Sequence, residues 1–232
     1  MRGFIPHLRF AKRWGTPPPH AIVEEVGRNM IKFVIFDAMG VIFTVGDDVE
    51  VLLTPYIHSL KPDIAVQDIK DLYLAASLGK IASRDLWAQL GFNEADIPMI
   101  ERSYLEKSFT LDAEFLPCAK ALKSRYGIAL LTNDVSEWSK YLRGYHGIEP
   151  FIDAAFVSGD LGVRKPDPRI YSIALETLGV RPNECLFIDD YPERVGAACE
   201  LGICSLLFNR EGHDYNGLRV KSFGQLERLL MA

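Results

Sequence analysis

Residues 31–37 have the sequence Ile-Lys-Phe-Val-Ile-Phe-Asp, an apolar run of β-branched and aromatic side chains that ends at an acidic residue. Such a run predicts a buried β-strand over Ile31–Phe36, with Asp37 at its carboxyl end. Similar runs recur further along the chain, at Ile128–Leu131, Ala154–Val157, Cys185–Ile188 and Ile203–Phe208. The chain is therefore built around several predicted strands.

Helical patterns separate the later strands. They cover Glu114–Tyr126, Val135–Tyr145, Pro168–Leu178 and Pro192–Leu201. Each is followed by a glycine of the kind that ends helices, at Gly127, Gly147, Gly179 and Gly202. Strands that alternate with helices pair in parallel through right-handed crossovers, so we predict an α/β fold with a doubly wound, Rossmann-like parallel sheet.

The segment 47–112 interrupts this alternation. Helical periodicity recurs in it at Val49–Leu60, Val66–Ser77, Ser83–Leu90 and Ile97–Ser108. No strand-like run lies between these pieces, which predicts a helical insertion between the first two strands. The predicted domains are a core at 30–46 and 113–232 and an inserted helical domain at 47–112. Residues 1–29 are rich in arginine and are interrupted by Pro17–Pro19, which predicts a variable N-terminal extension.

The composition narrows the function classes. The chain has 232 residues, of which 48% are hydrophobic and 25% charged, as in ordinary globular proteins. A formal net charge of −5 gives no attraction for nucleic acid, and no run of about 18 apolar residues predicts a membrane span. The four cysteines form no CxxC pair and lie in apolar segments, which favours buried free thiols and a cytoplasmic location.

Polar residues follow the predicted strands at their carboxyl ends. They are Asp37, then Thr132 with Asn133, then Asp189 with Asp190. Ligands of open parallel sheets bind beyond this edge, where the order of the strands reverses. Asp is depleted in strands, so acidic residues at several strand ends indicate a functional site.

Four segments together resemble the motifs of the haloacid dehalogenase-like superfamily, in the family's order. They are Phe36-Asp37-Ala38-Met39-Gly40-Val41-Ile42, Leu130-Leu131-Thr132-Asn133, Gly162-Val163-Arg164-Lys165-Pro166-Asp167-Pro168 and Leu186-Phe187-Ile188-Asp189-Asp190. The resemblance covers roughly residues 31–208, and the helical insertion falls where this family places its small cap domain. The segment 160–171 is similar to the sugar-phosphate phosphatase branch.

The resemblance implies a phosphohydrolase that acts on a small phosphorylated metabolite. Asp37 is the expected nucleophile and forms an aspartyl phosphate. Thr132, Asn133 and Lys165 are the expected phosphoryl-binding residues, with Thr132 and Lys165 also serving catalysis by charge stabilisation. The oligomeric state does not follow from the sequence.

The resemblance also implies a bound Mg²⁺. Its expected ligands are the carboxylates of Asp37 and Asp190, the backbone carbonyl of Met39, and Asp189 through water. Carboxylates that lie this close repel one another unless a cation lies between them, and Mg²⁺ prefers such oxygen ligands.

Met39 departs from the family pattern. Phosphatases of the superfamily usually carry an aspartate at this position as the general acid and base, and a methionine side chain can neither donate nor accept that proton. Two alternatives therefore stay open: a catalytically weak or inactive protein that binds phosphoryl ligands or a partner, and a 2-haloacid dehalogenase. The dehalogenase is the weaker alternative, because dehalogenases of the family lose the acidic pair that this chain keeps at Asp189 and Asp190.

Overall fold

The computed structural model describes residues 30–231, and the predicted N-terminal extension lies outside the described residues. The described strands are β1 (Phe33–Phe36), β2 (Gly127–Thr132), β3 (Ala154–Val157), β4 (Cys185–Asp189), β5 (Cys204–Phe208) and β6 (Arg219–Val220). They form one sheet in the order β3-β2-β1-β4-β5-β6, and every neighbouring pair is parallel. The predicted doubly wound parallel sheet is confirmed.

The strand order places the ligand-binding edge. The chain moves outward from β1 through β2 to β3 and then returns to β4 on the other side of β1. The order therefore reverses between β1 and β4, and their carboxyl ends border the crevice where such sheets bind ligands.

The strand boundaries differ from the predicted ones by one or two residues, and β6 was not predicted. The role predicted for Gly127 is wrong, since this residue begins β2 rather than ending a helix. A β-carbon at Gly127 would lie 2.3 Å from the ring of Phe33 on the neighbouring strand. Close packing against that ring, rather than a left-handed helix end, therefore explains the glycine.

Four α-helices lie within the described segment 47–112: α1 (Thr54–Leu60), α2 (Val66–Ala76), α3 (Ser83–Gln89) and α4 (Ile97–Ser108). A wide helical turn at Val49–Leu53 leads into α1. Their shared core is aromatic: Trp87 is fully buried, and its ring contacts those of Phe92 and Tyr104 at centroid distances of 5.6 and 6.0 Å. Trp87 and Phe92 are therefore part of the core of the insertion.

The remaining helices cover the two faces of the sheet. They are α5 (Phe115–Leu122), α6 (Ser136–Tyr145), α7 (Ser158–Leu161), α8 (Pro168–Leu178), α9 (Pro192–Glu200) and α10 (Phe223–Met231). Val34 and Phe36 pack into one hydrophobic cluster and Ile35 into another, because successive side chains of a strand point to opposite faces. All four cysteines are buried, as predicted.

Candidate active site

Three neighbouring strands bring the predicted site residues together. Asp37 follows β1, Thr132 ends β2 and Asp189 ends β4, and β1 lies between the other two strands. Asp37 is 1% exposed, and Thr132 and Asp189 are fully buried. Residues that are far apart in the sequence thus converge on one closed site.

The turn after β1 orients Asp37. The backbone N–H of Ala38 donates to Oδ1 of Asp37 at 2.7 Å, and Gly40 adopts a positive φ of 75°. A β-carbon at Gly40 would lie 1.9 Å from Oδ2 of Asp190, so a side chain here would collide with the acidic pair. Arg210, which the sequence analysis did not single out, donates to the carbonyls of Gly40 and Val41 at 3.1 and 2.9 Å and thereby holds the turn.

Lys165 joins two of the carboxylates. Its Nζ lies 2.8 Å from Oδ1 of Asp37 and 2.6 Å from Oδ2 of Asp189, and its side chain is fully buried. The side-chain amide of Asn133 pairs with the backbone of Lys165, accepting from its N–H at 2.8 Å and donating to its carbonyl at 2.9 Å. The Asn133 side chain therefore positions Lys165, and the substrate contact expected of Asn133 stays a prediction.

The acidic groups differ in how well they are compensated. Burial opposes ionisation of Asp189, but Lys165 and Arg194 outweigh it, so the pKa of Asp189 lies below its usual range. Burial and the charges of Asp37 and Asp189 raise the pKa of Asp190 to about 8. Burial likewise raises the pKa of Asp37, although Lys165 and Arg194 oppose the shift. The negative charge of Asp190 is thus the one that nearby cations compensate least.

This acidic cluster fits a divalent cation. One carboxylate oxygen from each of Asp37, Asp189 and Asp190 lies within 4.8 Å of the others. Oδ1 of Asp190 is buried and has no hydrogen-bond partner among the described residues. A hard cation would satisfy that oxygen and relieve the repulsion that raises the Asp190 pKa.

Two further residues bear on catalysis. Oγ1 of Thr132 is buried without a hydrogen-bond partner in the described structure, which leaves the hydroxyl free to bind a ligand. Met39 is 4% exposed and its side chain belongs to the main hydrophobic cluster. The side chain at the position of the family's acid and base is therefore apolar and buried.

Sequence reasoning missed Arg194. Its Nη1 lies 3.1 Å from Oδ2 of Asp37 and 3.6 Å from Oδ1 of Asp189. Arg194 lies in the first turn of α9, four residues after Asp190, where a helix-surface arginine is unremarkable in sequence. Its place in the first turn of a helix that begins two residues after Asp190 could have signalled a residue close to the same site.

A second polar cluster lies where the inserted helices meet the core. Tyr73 on α2 donates to Oδ2 of Asp48 at 2.8 Å and reaches the carbonyl of Asn133 at 3.3 Å. The hydroxyl of Ser158 donates to the carbonyl of Ser77 at 2.6 Å. These contacts close the insertion over the strand ends that carry the site.

The raised pKa of Asp48 predicts how the free energy of unfolding depends on pH. Burial raises its pKa to about 6, although the hydrogen bond from Tyr73 and the charge of Arg164 oppose the shift. Between the unfolded value of 3.8 and about 6, the folded chain holds the proton more tightly, so stability falls as the pH rises through this window. We expect Asp48→Asn, which keeps an acceptor for Tyr73, to raise the free energy of unfolding by about 2 kcal/mol at neutral pH.

Urea unfolding of the wild type and Asp48→Asn at several pH values would test this expectation. The gain should shrink as the pH falls and disappear near pH 3, where the Asp48 carboxyl is mostly protonated in both the folded and the unfolded chain. The exposed Asp63 provides the control, and Asp63→Asn should give no comparable gain. An equal gain from Asp48→Asn at all pH values would contradict the burial argument.

A family model for haloacid dehalogenase-like hydrolases matches residues 31–202. The chain belongs to this family. Over 94 residues it is 32% identical to (S)-2-haloacid dehalogenase 4A of Burkholderia cepacia, which covers 40% of this chain and 41% of that protein. Over 181 residues it is 30% identical to a sesquiterpene phosphatase of Aspergillus oryzae, with 75% and 88% covered. The chain thus matches less than half the length of the dehalogenase but most of the phosphatase.

A solved structure shows the same fold. It is a haloacid dehalogenase-family enzyme of Bacteroides thetaiotaomicron, crystallised as an aspartate-to-alanine mutant with magnesium and inorganic phosphate. The TM-score is 0.60 at 21% identity, with 80% of this chain and 97% of that chain covered. Like that enzyme, the chain described here has a Rossmann-like core with an inserted helical cap. Within residues 30–231 it has no helix with the length and apolar character to cross a bilayer.

Proposed function

We propose that the chain is a Mg²⁺-dependent phosphohydrolase that acts on a small phosphate monoester. The observation that carries the proposal is the arrangement of charges at the strand ends. Carboxylate oxygens of Asp37, Asp189 and Asp190 lie within 4.8 Å of one another, and Lys165 contacts Asp37 at 2.8 Å. A site with clustered carboxylates and a buried lysine suits phosphoryl transfer, which needs positioning and charge stabilisation more than covalent help.

Each side chain has a role in this reaction. Asp37 attacks phosphorus, the ester oxygen leaves, and water then hydrolyses the aspartyl phosphate. Lys165, in contact with Oδ1 of Asp37, favours the ionised form of the nucleophile and stabilises negative charge on the phosphoryl group. The free hydroxyl of Thr132 donates to a phosphoryl oxygen.

Mg²⁺ would be held by the carboxylates of Asp37 and Asp190 and the backbone carbonyl of Met39, with Asp189 acting through water. When bound, the ion neutralises negative charge on the phosphoryl oxygens. The relative of known structure that carries magnesium and phosphate supports this choice of ion. The expected partner is a small phosphorylated metabolite in the cytoplasm, rather than a nucleic acid or a membrane.

The similarity to a haloacid dehalogenase makes dehalogenation the second candidate. A haloacid carries its own carboxylate, which the cluster of Asp37, Asp189 and Asp190 would repel. A phosphate ester that binds together with a divalent cation avoids this repulsion. The acidic cluster therefore favours the phosphatase.

A panel of phosphate monoesters, assayed for phosphate release with Mg²⁺ and with a chelator, tests the proposal. We expect turnover that depends on Mg²⁺. Asp190→Ala should abolish both turnover and Mg²⁺ binding measured by calorimetry, because Asp190 supplies the oxygen that lacks a protein partner.

The alternatives predict different results. A dehalogenase would release chloride from a 2-chloro acid without Mg²⁺. A protein that only binds phosphoryl ligands would bind phosphate with Mg²⁺ and release none from any ester. Either result, obtained with folded wild-type protein, would contradict the phosphohydrolase.

A further inference from the structure

Arg194 places a second, partly buried cation in the candidate site. Its Nη1 contacts Oδ2 of Asp37 at 3.1 Å, and its side chain is 20% exposed. The guanidinium also stacks on the ring of Tyr191, with its central carbon 4.2 Å from the ring centroid. The charged group is therefore held inside the site by both a carboxylate and an aromatic face.

The two oxygens of Asp37 have different surroundings. Oδ1 accepts from the backbone N–H of Ala38 at 2.7 Å and contacts Lys165 at 2.8 Å. Oδ2 accepts from Nη1 of Arg194 at 3.1 Å. Oδ2 consequently keeps a free lone pair and is the better placed oxygen to attack phosphorus. A phosphoryl group that approaches Oδ2 arrives beside the guanidinium, whose planar fork of donors matches phosphate oxygens.

Charge balance links Arg194 to the metal. When all three carboxylates are ionised, as the binding of a divalent cation to them requires, Lys165 and Arg194 leave one net negative charge, whereas Lys165 alone would leave two. In the free enzyme, Arg194 and Mg²⁺ therefore compete for the same negative charge. A phosphate group adds about two negative charges, which both cations can share.

We propose that Arg194 is a phosphoryl-binding residue that couples substrate binding to metal binding. Without substrate, its guanidinium shields Asp37 and Asp189 and weakens their hold on Mg²⁺. When a phosphate monoester binds, the guanidinium exchanges Oδ2 of Asp37 for phosphoryl oxygens, and the freed carboxylates bind Mg²⁺ more tightly. This inference rests on the proposed phosphohydrolase function.

The backbone at Arg194 does not depend on its side chain. The hydroxyl of Tyr171 donates to the carbonyl of Arg194 at 2.9 Å and anchors this turn of α9. A substitution of the side chain should therefore leave the turn in place. Arg194→Gln removes the charge, and Arg194→Lys keeps the charge but loses the planar fork.

Calorimetry on the full chain would measure Mg²⁺ binding alone, and inorganic phosphate binding in the presence of Mg²⁺. We expect Arg194→Gln to bind Mg²⁺ alone about tenfold tighter than the wild type and phosphate about tenfold more weakly. Arg194→Lys should bind Mg²⁺ as the wild type does and phosphate more weakly. Arg102→Gln, which removes an exposed arginine on α4, should change neither affinity.

These opposite shifts distinguish coupling from a structural role. A purely structural arginine would change the melting temperature and leave both affinities unchanged, or would weaken both affinities together, and either result would overturn the proposal. Unchanged phosphate affinity in Arg194→Gln and Arg194→Lys would overturn it as well. If the wild type bound Mg²⁺ but neither phosphate nor orthovanadate, the phosphohydrolase itself would be wrong. If Arg194→Gln failed to fold, weaker phosphate binding by Arg194→Lys would support the proposal, and unchanged phosphate binding by that variant would overturn it.

Discussion

Asp37→Asn should abolish phosphate release, with a loss of about four orders of magnitude or more, because an amide cannot attack phosphorus. The substitution keeps the size of the side chain, and asparagine retains an oxygen that can accept the N–H of Ala38. The fold should therefore persist, although the ion pairs with Lys165 and Arg194 are lost. Steady-state phosphate release at saturating Mg²⁺ would measure the effect.

The exposed Asp63 again provides the matched control, and Asp63→Asn should retain wild-type turnover. Mass spectrometry of wild-type enzyme quenched during turnover should find one added phosphoryl group on the peptide that contains Asp37. Retention of most activity in Asp37→Asn would exclude Asp37 as the nucleophile.

Met39 should make turnover depend strongly on the leaving group. General acid and base assistance contributes about 10²- to 10⁴-fold in rate, and the buried methionine cannot supply it. Without a proton donor, the leaving group departs as an anion. Aryl and acyl phosphates should therefore react much faster than alkyl phosphates, and a burst of leaving group should precede a slower steady state if hydrolysis of the aspartyl phosphate is rate-limiting.

Met39→Asp should restore part of this assistance. We expect it to raise turnover of alkyl phosphates by about tenfold or more, and that of aryl phosphates by less. The new carboxylate adds negative charge beside Asp37 and Asp190, so the variant should need more Mg²⁺ or be less stable. Met39→Leu, which changes the side chain without adding an acid, is the control. Equal rates for aryl and alkyl esters in the wild type would show that another residue donates the proton.

Hydrophobic patterning was sufficient to predict the α/β core. Successive residues of β1 pack into opposite clusters, and short apolar runs of this kind mark strands that are buried on both faces. The pattern located the strands but not all of their ends, and it misassigned Gly127. That glycine is required by the ring of Phe33, which lies on a strand about ninety residues earlier in the chain, so no local rule could reveal the reason.

The individual members of the site could be predicted from the motifs because each lies at the end of a strand or in a loop that leads into a helix. Asp37, Thr132, Lys165 and the pair at Asp189 and Asp190 all belong to short, ordered signatures. The sequence also exposed the absence of an acid at Met39, since that position is fixed by its distance from Asp37. What a motif specifies is the type of a residue and its place on an element.

The contacts between those residues required the tertiary structure. Parallel pairing places Asp37 between Thr132 and Asp189, and it lets the amide of Asn133 hold Lys165. The same convergence brings Arg194 into contact with Oδ2 of Asp37 and buries Asp48, which accepts a hydrogen bond from Tyr73. The sequence by itself determined the fold class and the chemical groups of the site. Which cation faces which carboxylate, and which acid is desolvated, depends on distances of a few ångströms between distant segments, and only packing decides these.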